Sequence, residues 1–427
     1  LNRVEEWIED IWGLTSGTTV RELYYEISYN PNISTLSSLV RDVPKSLLDA
    51  YLPIADAIDA SLPDAPPILA PNVSDRRQQI LRELRFEAAT AQELEPANIP
   101  NIFQRTEDFP KFLSERTWLI RGAKGTGKSL LFRLFVEQPE AAKKLAESEV
   151  DLTKVDFISG HGQPRLSGTI LESGDLASYE QQAGVNEWHN FWLNYALLQM
   201  CHARSELRLI PGLDGDLVAL SAEHNPSHAS IVSWLVGRSQ SPAAKPQAGD
   251  ELRAIDRWLQ ENNQRVWLLY DELDAGFGSS QQDYDRRRRA LEALLAWWLE
   301  SGTSLKRIIP KIFLREDIWS QLNFTNTAHS SGRALQLRWE DPDLWRLVLR
   351  QALKSSDTLK QYLEQELGVT VERLNTIGQE QLRKSLYPLW GERMGRTKKA
   401  YTYNWIRTRI ADGQTTGCPR RGIWLLR

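Results

Sequence analysis

Three glycines, Gly122, Gly125 and Gly127, fall between the apolar tripeptide Trp118-Leu119-Ile120 and a second apolar run that opens at Leu130. No other stretch of the 427 residues restricts the fold so strongly. The tripeptide reads as a buried strand, and Leu130 to Val136 reads as the start of a helix. A chain that passes from strand to helix through such a turn points backbone N–H groups at whatever the turn encloses. Gly122-Ala123-Lys124-Gly125-Thr126-Gly127-Lys128-Ser129 has the spacing G-x-x-x-x-G-K-[ST], a cradle for phosphate oxygens.

On that reading the backbone from Gly122 through Gly127 curls around the phosphates. Lys128 reaches the β- and γ-phosphates, and the Ser129 hydroxyl is a ligand for Mg²⁺. The helix beginning at Leu130 turns its positive end toward the same anion. A second run, Val266-Trp267-Leu268-Leu269-Tyr270, ends in Asp271-Glu272-Leu273-Asp274. Near-continuous apolar runs suit parallel strands buried on both faces, and function collects at their carboxyl ends. Asp271 is expected to hold Mg²⁺ through water, and Glu272 to polarise an attacking water. A third run, Ile308 to Leu314, ends in Arg315-Glu316-Asp317. A guanidinium there suits an oxygen carrying transition-state charge; the plainer alternative pairs it with Glu316 or Asp317 on the surface.

These elements resemble the Walker A and Walker B motifs of P-loop ATPases of the STAND/AAA+ kind, over roughly residues 100 to 427. STAND proteins often place an arginine at the tip of the strand beside Walker B, the position Arg315 takes. The resemblance implies an α/β fold: a five-stranded parallel sheet flanked by helices, followed by a helical lid. It implies ATP and Mg²⁺ as cofactors, with Glu272, Lys128 and Arg315 in catalysis and Ser129 and Asp271 at the metal. The stretch Ile102 to Phe109, with Phe112-Leu113 beyond, is similar to the F-x-G-R-x-x-E segment that packs on adenine and ribose in that class. Phe103 and Arg105 carry over; Gln104 stands where glycine is usual, and Glu107 comes one place early. A loop-to-helix connection is the simpler reading. Leu337-Arg338-Trp339 with Asp343-Leu344 resembles the passage into a lid, and Gly417-Cys418-Pro419-Arg420-Arg421 resembles a lid motif in which Arg420 would contact nucleotide. Phe313 to Trp319, with Asn323-Phe324 and His329, looks like a bacterial group of such ATPases found in defence or signalling proteins.

Around this core the chain divides into residues 1–72, a tail ending in the proline-rich linker Ser61 to Asn72; 73–113, a helical connection; 114–335, the ATPase core with a helical insertion at about 165–265; and 336–427, the lid. Leu23 to Tyr29 reads as a strand, and the first segment resembles the closing part of a ParA- or MinD-like domain. Gln78 to Leu94 reads as an amphipathic helix. Val155 to Ser159 reads as a strand running into a Gly160-His161-Gly162 turn, with His161 solvated. Ser239 to Asp250 reads as flexible. The aromatic residues of Glu187 to Arg204 read as core. Thr153-Lys154-Val155-Asp156 matches a guanine-recognition tetrapeptide but follows a polar stretch, so ATP is expected over GTP. On the helix Asp283 to Glu300, Arg287 and Arg288 fall on the face of Leu291 and Leu294, with Arg286 and Arg289 opposite. Such an arginine would serve a nucleotide of this or a neighbouring subunit, or form a solvated basic patch.

Net charge is −4, which gives no global attraction to nucleic acid. Two cysteines fit a reducing compartment, and no apolar run reaches transmembrane length, so a cytoplasmic location is expected. The chain opens on Leu1 and closes on an apolar segment, as a piece of something longer would. The expected function is a Mg²⁺-dependent ATP-binding and ATP-hydrolysing switch controlling assembly, as a homo-oligomer or with a partner or fused effector. Two alternatives stay open. One is a DNA-acting ATPase using Arg286 to Arg289 and Lys398-Lys399. The other is a scaffold that binds ATP without turnover.

Overall fold

The computed structural model describes residues 71–85, 91–278, 280–301, 304–323, 332–394 and 400–410. The chain divides into two compact units: Leu1–Arg76 with Met394–Lys399, and Arg77–Arg393 with Ala400–Arg427. The sheet and the cleft belong to the second. The strand at Leu23 to Tyr29, the ParA-like resemblance, His329, Lys398-Lys399 and Arg420 with its neighbours lie outside the described residues.

Helix α1 is Pro71–Glu83. It starts earlier than the expected Gln78, Pro71 suiting a first helical turn, and it ends at Glu83 rather than at Leu94. Arg85 folds back to donate to the carbonyls of Arg82 and Leu84, both at 2.8 Å, where the chain leaves the helix. Two short helices follow, α2 (Ile99–Ile102) and α3 (Phe109–Leu113), each with proline in its first turn. Then come β1 (Leu119–Gly122), α4 (Lys128–Glu137), α5 (Pro139–Ala146) and β2 (Val155–His161). His161 is the last residue of β2 and is buried against the rings of Trp192 and Tyr195 rather than solvated in a turn.

The helical insertion comprises α6 (Ser173–Ala183), α7 (Trp188–Ala203), α8 (Gly215–Ala222), α9 (His228–Gln240) and α10 (Ala244–Glu261). Glu172 and Asp175 box the start of α6, and Asp214 and Ser227 cap α8 and α9. Ser239 to Asp250 is helical at both ends rather than flexible. Pro246 lies in the first turn of α10, where a missing N–H costs nothing, and Ala244 and Ala248 are buried. The chain continues with β3 (Arg265–Tyr270), α11 (Gln281–Ser301), β4 (Ile308–Arg315), α12 (Glu316–Trp319) and β5 (Ala334–Gln336). The helices α13 (Asp341–Ser355), α14 (Asp357–Leu367), α15 (Gln379–Trp390) and α16 (Thr402–Ile410) complete it.

The five strands form one parallel sheet in the order β2-β3-β4-β1-β5. Alternate residues face opposite sides, as strand geometry requires. Ile120, Trp267, Leu269 and Phe313 face a core shared with α3, α4 and α5. Leu119, Leu268, Ile312 and Leu314 face a core built from the insertion and α11. Each fully buried side chain of this size contributes about 1.5–3 kcal/mol. A third core joins α13, α14 and α15 with Ile80 of α1. Glu83 accepts from the hydroxyls of Ser356 and Thr358, both at 2.7 Å, and so fastens α1 to this helical group. Among the described residues no helix is long and apolar enough to cross a membrane.

Candidate functional site

The connection leaving β1 runs toward the β2 edge, whereas the one leaving β4 crosses β1 to reach β5. Two neighbouring strands whose chains depart in opposite directions leave a crevice at their carboxyl ends, where ligands of open parallel sheets bind. Gly122 of β1 and Arg315 of β4 are register partners at that edge. A cleft of about 490 Å³ lies over it, reaching from the glycine loop and Asp271 to α13.

The loop gets its shape from two left-handed residues, Gly125 at φ 89° and Gly127 at φ 90°. Glycine takes this conformation without a Cβ penalty. Gly127 is the residue before α4, so Lys128, Ser129 and Leu130 open the helix with N–H groups that have no partner inside it. Lys124 to Leu130 all line the cleft; Gly122 and Ala123 lie behind it. Their carbonyls accept hydrogen bonds from Lys128 Nζ, both at 2.9 Å. Burial pushes the Lys128 pKa below its ordinary value, while Asp271 and Asp274 favour its charge. The indole N–H of Trp339 donates to Thr126 O at 2.9 Å, which joins the loop to the segment entering α13.

Asp271 follows β3, and its backbone N–H donates to His161 O at 3.0 Å. Burial, then the neighbouring Glu272 charge, raises its pKa to about 7, against a hydrogen bond from Ser129. Its Oδ2 is buried without a hydrogen-bond partner. A carboxylate oxygen in want of a partner beside a hydroxyl fits Mg²⁺, a hard cation that takes one or two protein oxygens and completes its shell with water and phosphate. Among the described residues no group of three or more His, Cys, Asp or Glu side chains gathers to hold a metal, at this site or elsewhere.

Glu272 has φ 57°, left-handed for a residue with a Cβ. That conformation costs on the order of 1–3 kcal/mol and turns the side chain toward the cleft it lines. Its Oε1 accepts from Gln92 Nε2 at 3.0 Å and from Gln163 Nε2 at 3.1 Å. Arg315 lines the cleft and is also paired. Its Nη1 donates to Asp274 at 2.8 Å, and its Nε and Nη2 fork onto Asp317 at 3.0 and 2.6 Å. The Asp317 bonds lead in holding its pKa above the ordinary value.

At the other end Phe103 lines the cleft, edge-on to Phe109 with centroids 5.7 Å apart. Arg105 does not line it; its guanidinium reaches Glu149 at 2.5 Å and packs on Phe109. Gln104, in place of the expected glycine, ties this segment to the helical group. Its Nε2 donates to Asn375 Oδ1 at 2.7 Å, and its Oε1 accepts from Arg350 at 3.1 Å.

The arginine run faces opposite to expectation. Arg286 and Arg289 turn inward onto the buried carboxylate of Glu180 on α6, while Arg288 is exposed and Arg287 lies over the Tyr284 ring. Helix α11 is anchored by Ala290 and Leu291 just beyond, so the long side chains before them swing to the nearest buried acid. Gln92, Gln163, Trp339 and Gln351 all reach the cleft or its carboxylate without having been marked as site residues. Gln163 had one available signal, since it follows a buried strand at the carboxyl edge. Compared with known proteins, the chain matches no family model, no curated protein and no solved structure.

Proposed function

We propose that this chain is a P-loop ATPase of the STAND/AAA+ kind that binds ATP with Mg²⁺, hydrolyses it slowly, and uses the bound state to control assembly or a partner or fused effector. One observation carries the reading: Lys124 to Leu130, Asp271, Glu272 and Arg315 line one cleft at the edge where β1 and β4 diverge. The triphosphate lies in the glycine loop, against the free N–H groups of Lys128, Ser129 and Leu130. The base lies at the apolar end, near Phe103 and Leu347. Ser129 and Asp271 hold Mg²⁺, whose chemistry is to neutralise charge on the phosphate oxygens.

ATP displaces the Lys128 ammonium from the Gly122 and Ala123 carbonyls, so the cation changes acceptors rather than being dehydrated anew. Glu272 accepts a hydrogen bond from the water that attacks the γ-phosphorus, giving ADP and phosphate. Arg315, which lines the same cleft, leaves Asp274 for a γ-phosphate oxygen. Trp339, bonded to Thr126 O, passes the loop's occupancy to α13 and the helices packed on it.

The test is mass measurement of the protein with and without ATP and Mg²⁺, beside phosphate release. ATP is expected to bind, to be turned over slowly and to change the mass. Lys128→Ala is expected to lose all three, and Glu272→Gln to keep ATP bound without product. A Lys128→Ala protein that still assembles with ATP would sink the switch, and a wild type that does not bind ATP would sink the whole reading.

A further inference from the structure

Of the buried polar atoms without a hydrogen-bond partner among the described residues, two belong to residues lining the cleft. One is Asp271 Oδ2, already placed at the metal. The other is Oε1 of Gln351, on α13. Gln351 is 3 % exposed, so water does not readily reach its carboxamide oxygen. A buried acceptor left without a donor is costly, and native structures rarely keep one. Gln351 lies one helical turn beyond Leu347, which lines the same wall, and α13 packs against α2, the helix that delivers Phe103.

Given that the cleft takes ATP as proposed above, we infer that Gln351 reads the base: its Oε1 accepts a hydrogen bond from the 6-amino group of adenine. The unmet need is for a donor. Adenine presents N–H at that carbon, whereas guanine presents a carbonyl oxygen, a second acceptor facing the first. A site that hydrogen-bonds one group rejects the analogue lacking it more strongly than an apolar pocket rejects a change of size. Gln104, the other glutamine at this end, is not available for the task. Both ends of its carboxamide are engaged, by Asn375, by the Arg105 carbonyl and by Arg350. Because Gln351 belongs to α13, the same bond would make the helical group sense which base is bound.

The experiment measures Mg²⁺-dependent binding of ATP, GTP and purine riboside triphosphate, which lacks the 6-amino group, to wild type and to Gln351→Leu. Wild type is expected to bind ATP about tenfold more tightly than the other two. In Gln351→Leu the ATP affinity is expected to fall about tenfold and the preference to vanish, with GTP affinity unchanged. Discrimination that survives in Gln351→Leu overturns the assignment, and so does a wild type that binds all three equally. The second comparison needs no variant, so a misfolded Gln351→Leu does not rescue the idea. Failure of this inference leaves Lys128-dependent ATP binding intact; absence of binding to any of the three overturns both it and the nucleotide reading.

Discussion

Gln163 holds Glu272: the carboxamide nitrogen lies 3.1 Å from Oε1, and Gln92 reaches the same oxygen at 3.0 Å. The carboxylate proposed to orient water is thus engaged by two amide donors, and bonds to an ionised acceptor are among the stronger ones. Removing both amides frees the acid. The double variant Gln92→Ala, Gln163→Ala is therefore expected to raise the ATP turnover number roughly three- to tenfold, with the ATP dissociation constant little changed, in a steady-state phosphate-release assay. A rate that is unchanged or lower would show that the two amides support Glu272 rather than restrain it.

Gly127→Ala tests the loop. At φ 90° an added Cβ meets Trp339 Cζ2 at 3.9 Å, an ordinary contact, so the penalty lies in the backbone and not in crowding. A left-handed L-residue costs about 1–2 kcal/mol. In thermal unfolding the variant is expected to melt a few degrees lower. Nucleotide binding in titration calorimetry is expected to suffer more, because the strain relaxes by turning the opening N–H groups of α4 away from the cleft. Equal binding with a lower melting point would place the strain outside the cradle.

The parts of the cleft that could be read in the sequence were those with a local signature. Trp118-Leu119-Ile120 before three glycines, and Val266 to Tyr270 before two acids, each put an element and a functional terminus within a few neighbouring positions. Gln163 and Glu272 are 109 residues apart and Gln104 and Asn375 are 271 apart. No periodicity records such a pair, since each side chain obeys only its own helix or loop. The arginines in the first half of α11 failed for a related reason. Helical phase predicts where Cβ points, but a guanidinium several bonds further out goes to the nearest buried carboxylate, which is Glu180 on another helix.

Lys311 gives a pH test. It faces the core on β4, its Nζ donating to the carbonyls of Phe112, Ser114 and Thr117 at 2.6, 2.8 and 2.6 Å and lying over the Trp267 ring. Burial nevertheless pushes its pKa down to about 7 from 10.5. Between those values the unfolded chain holds the proton that the folded chain has released, so stability rises with pH across that window and is flat below it. The full gain is at most about 5 kcal/mol. Urea midpoints between pH 6 and pH 10 are expected to climb more steeply in wild type than in Lys311→Met. Parallel slopes would mean that the three carbonyls keep the amine charged throughout.

The arginine run gives the last test, because it separates a structural cluster from a nucleic-acid surface. Glu180 accepts from Trp188 Nε1 at 2.9 Å, from Arg286 at 3.2 Å and from Arg289 at 2.8 and 3.0 Å. Replacing it with leucine leaves Arg289 and an indole N–H without their acceptor, while Arg286 keeps Asp283 at 2.5 Å, a loss of about 3 kcal/mol. Arg288 is exposed and only 3.8 Å-paired with Asp285, so Arg288→Ala is expected to stay within about 0.5 kcal/mol of wild type. Denaturant unfolding of both variants measures the difference. A DNA-binding role for these arginines would reverse the ranking in a second assay: Arg288→Ala would weaken DNA binding in a salt-dependent manner while leaving stability alone. With Arg286 and Arg289 already committed to Glu180, the expected outcome is a large stability loss in Glu180→Leu and no DNA affinity for Arg288→Ala to reduce.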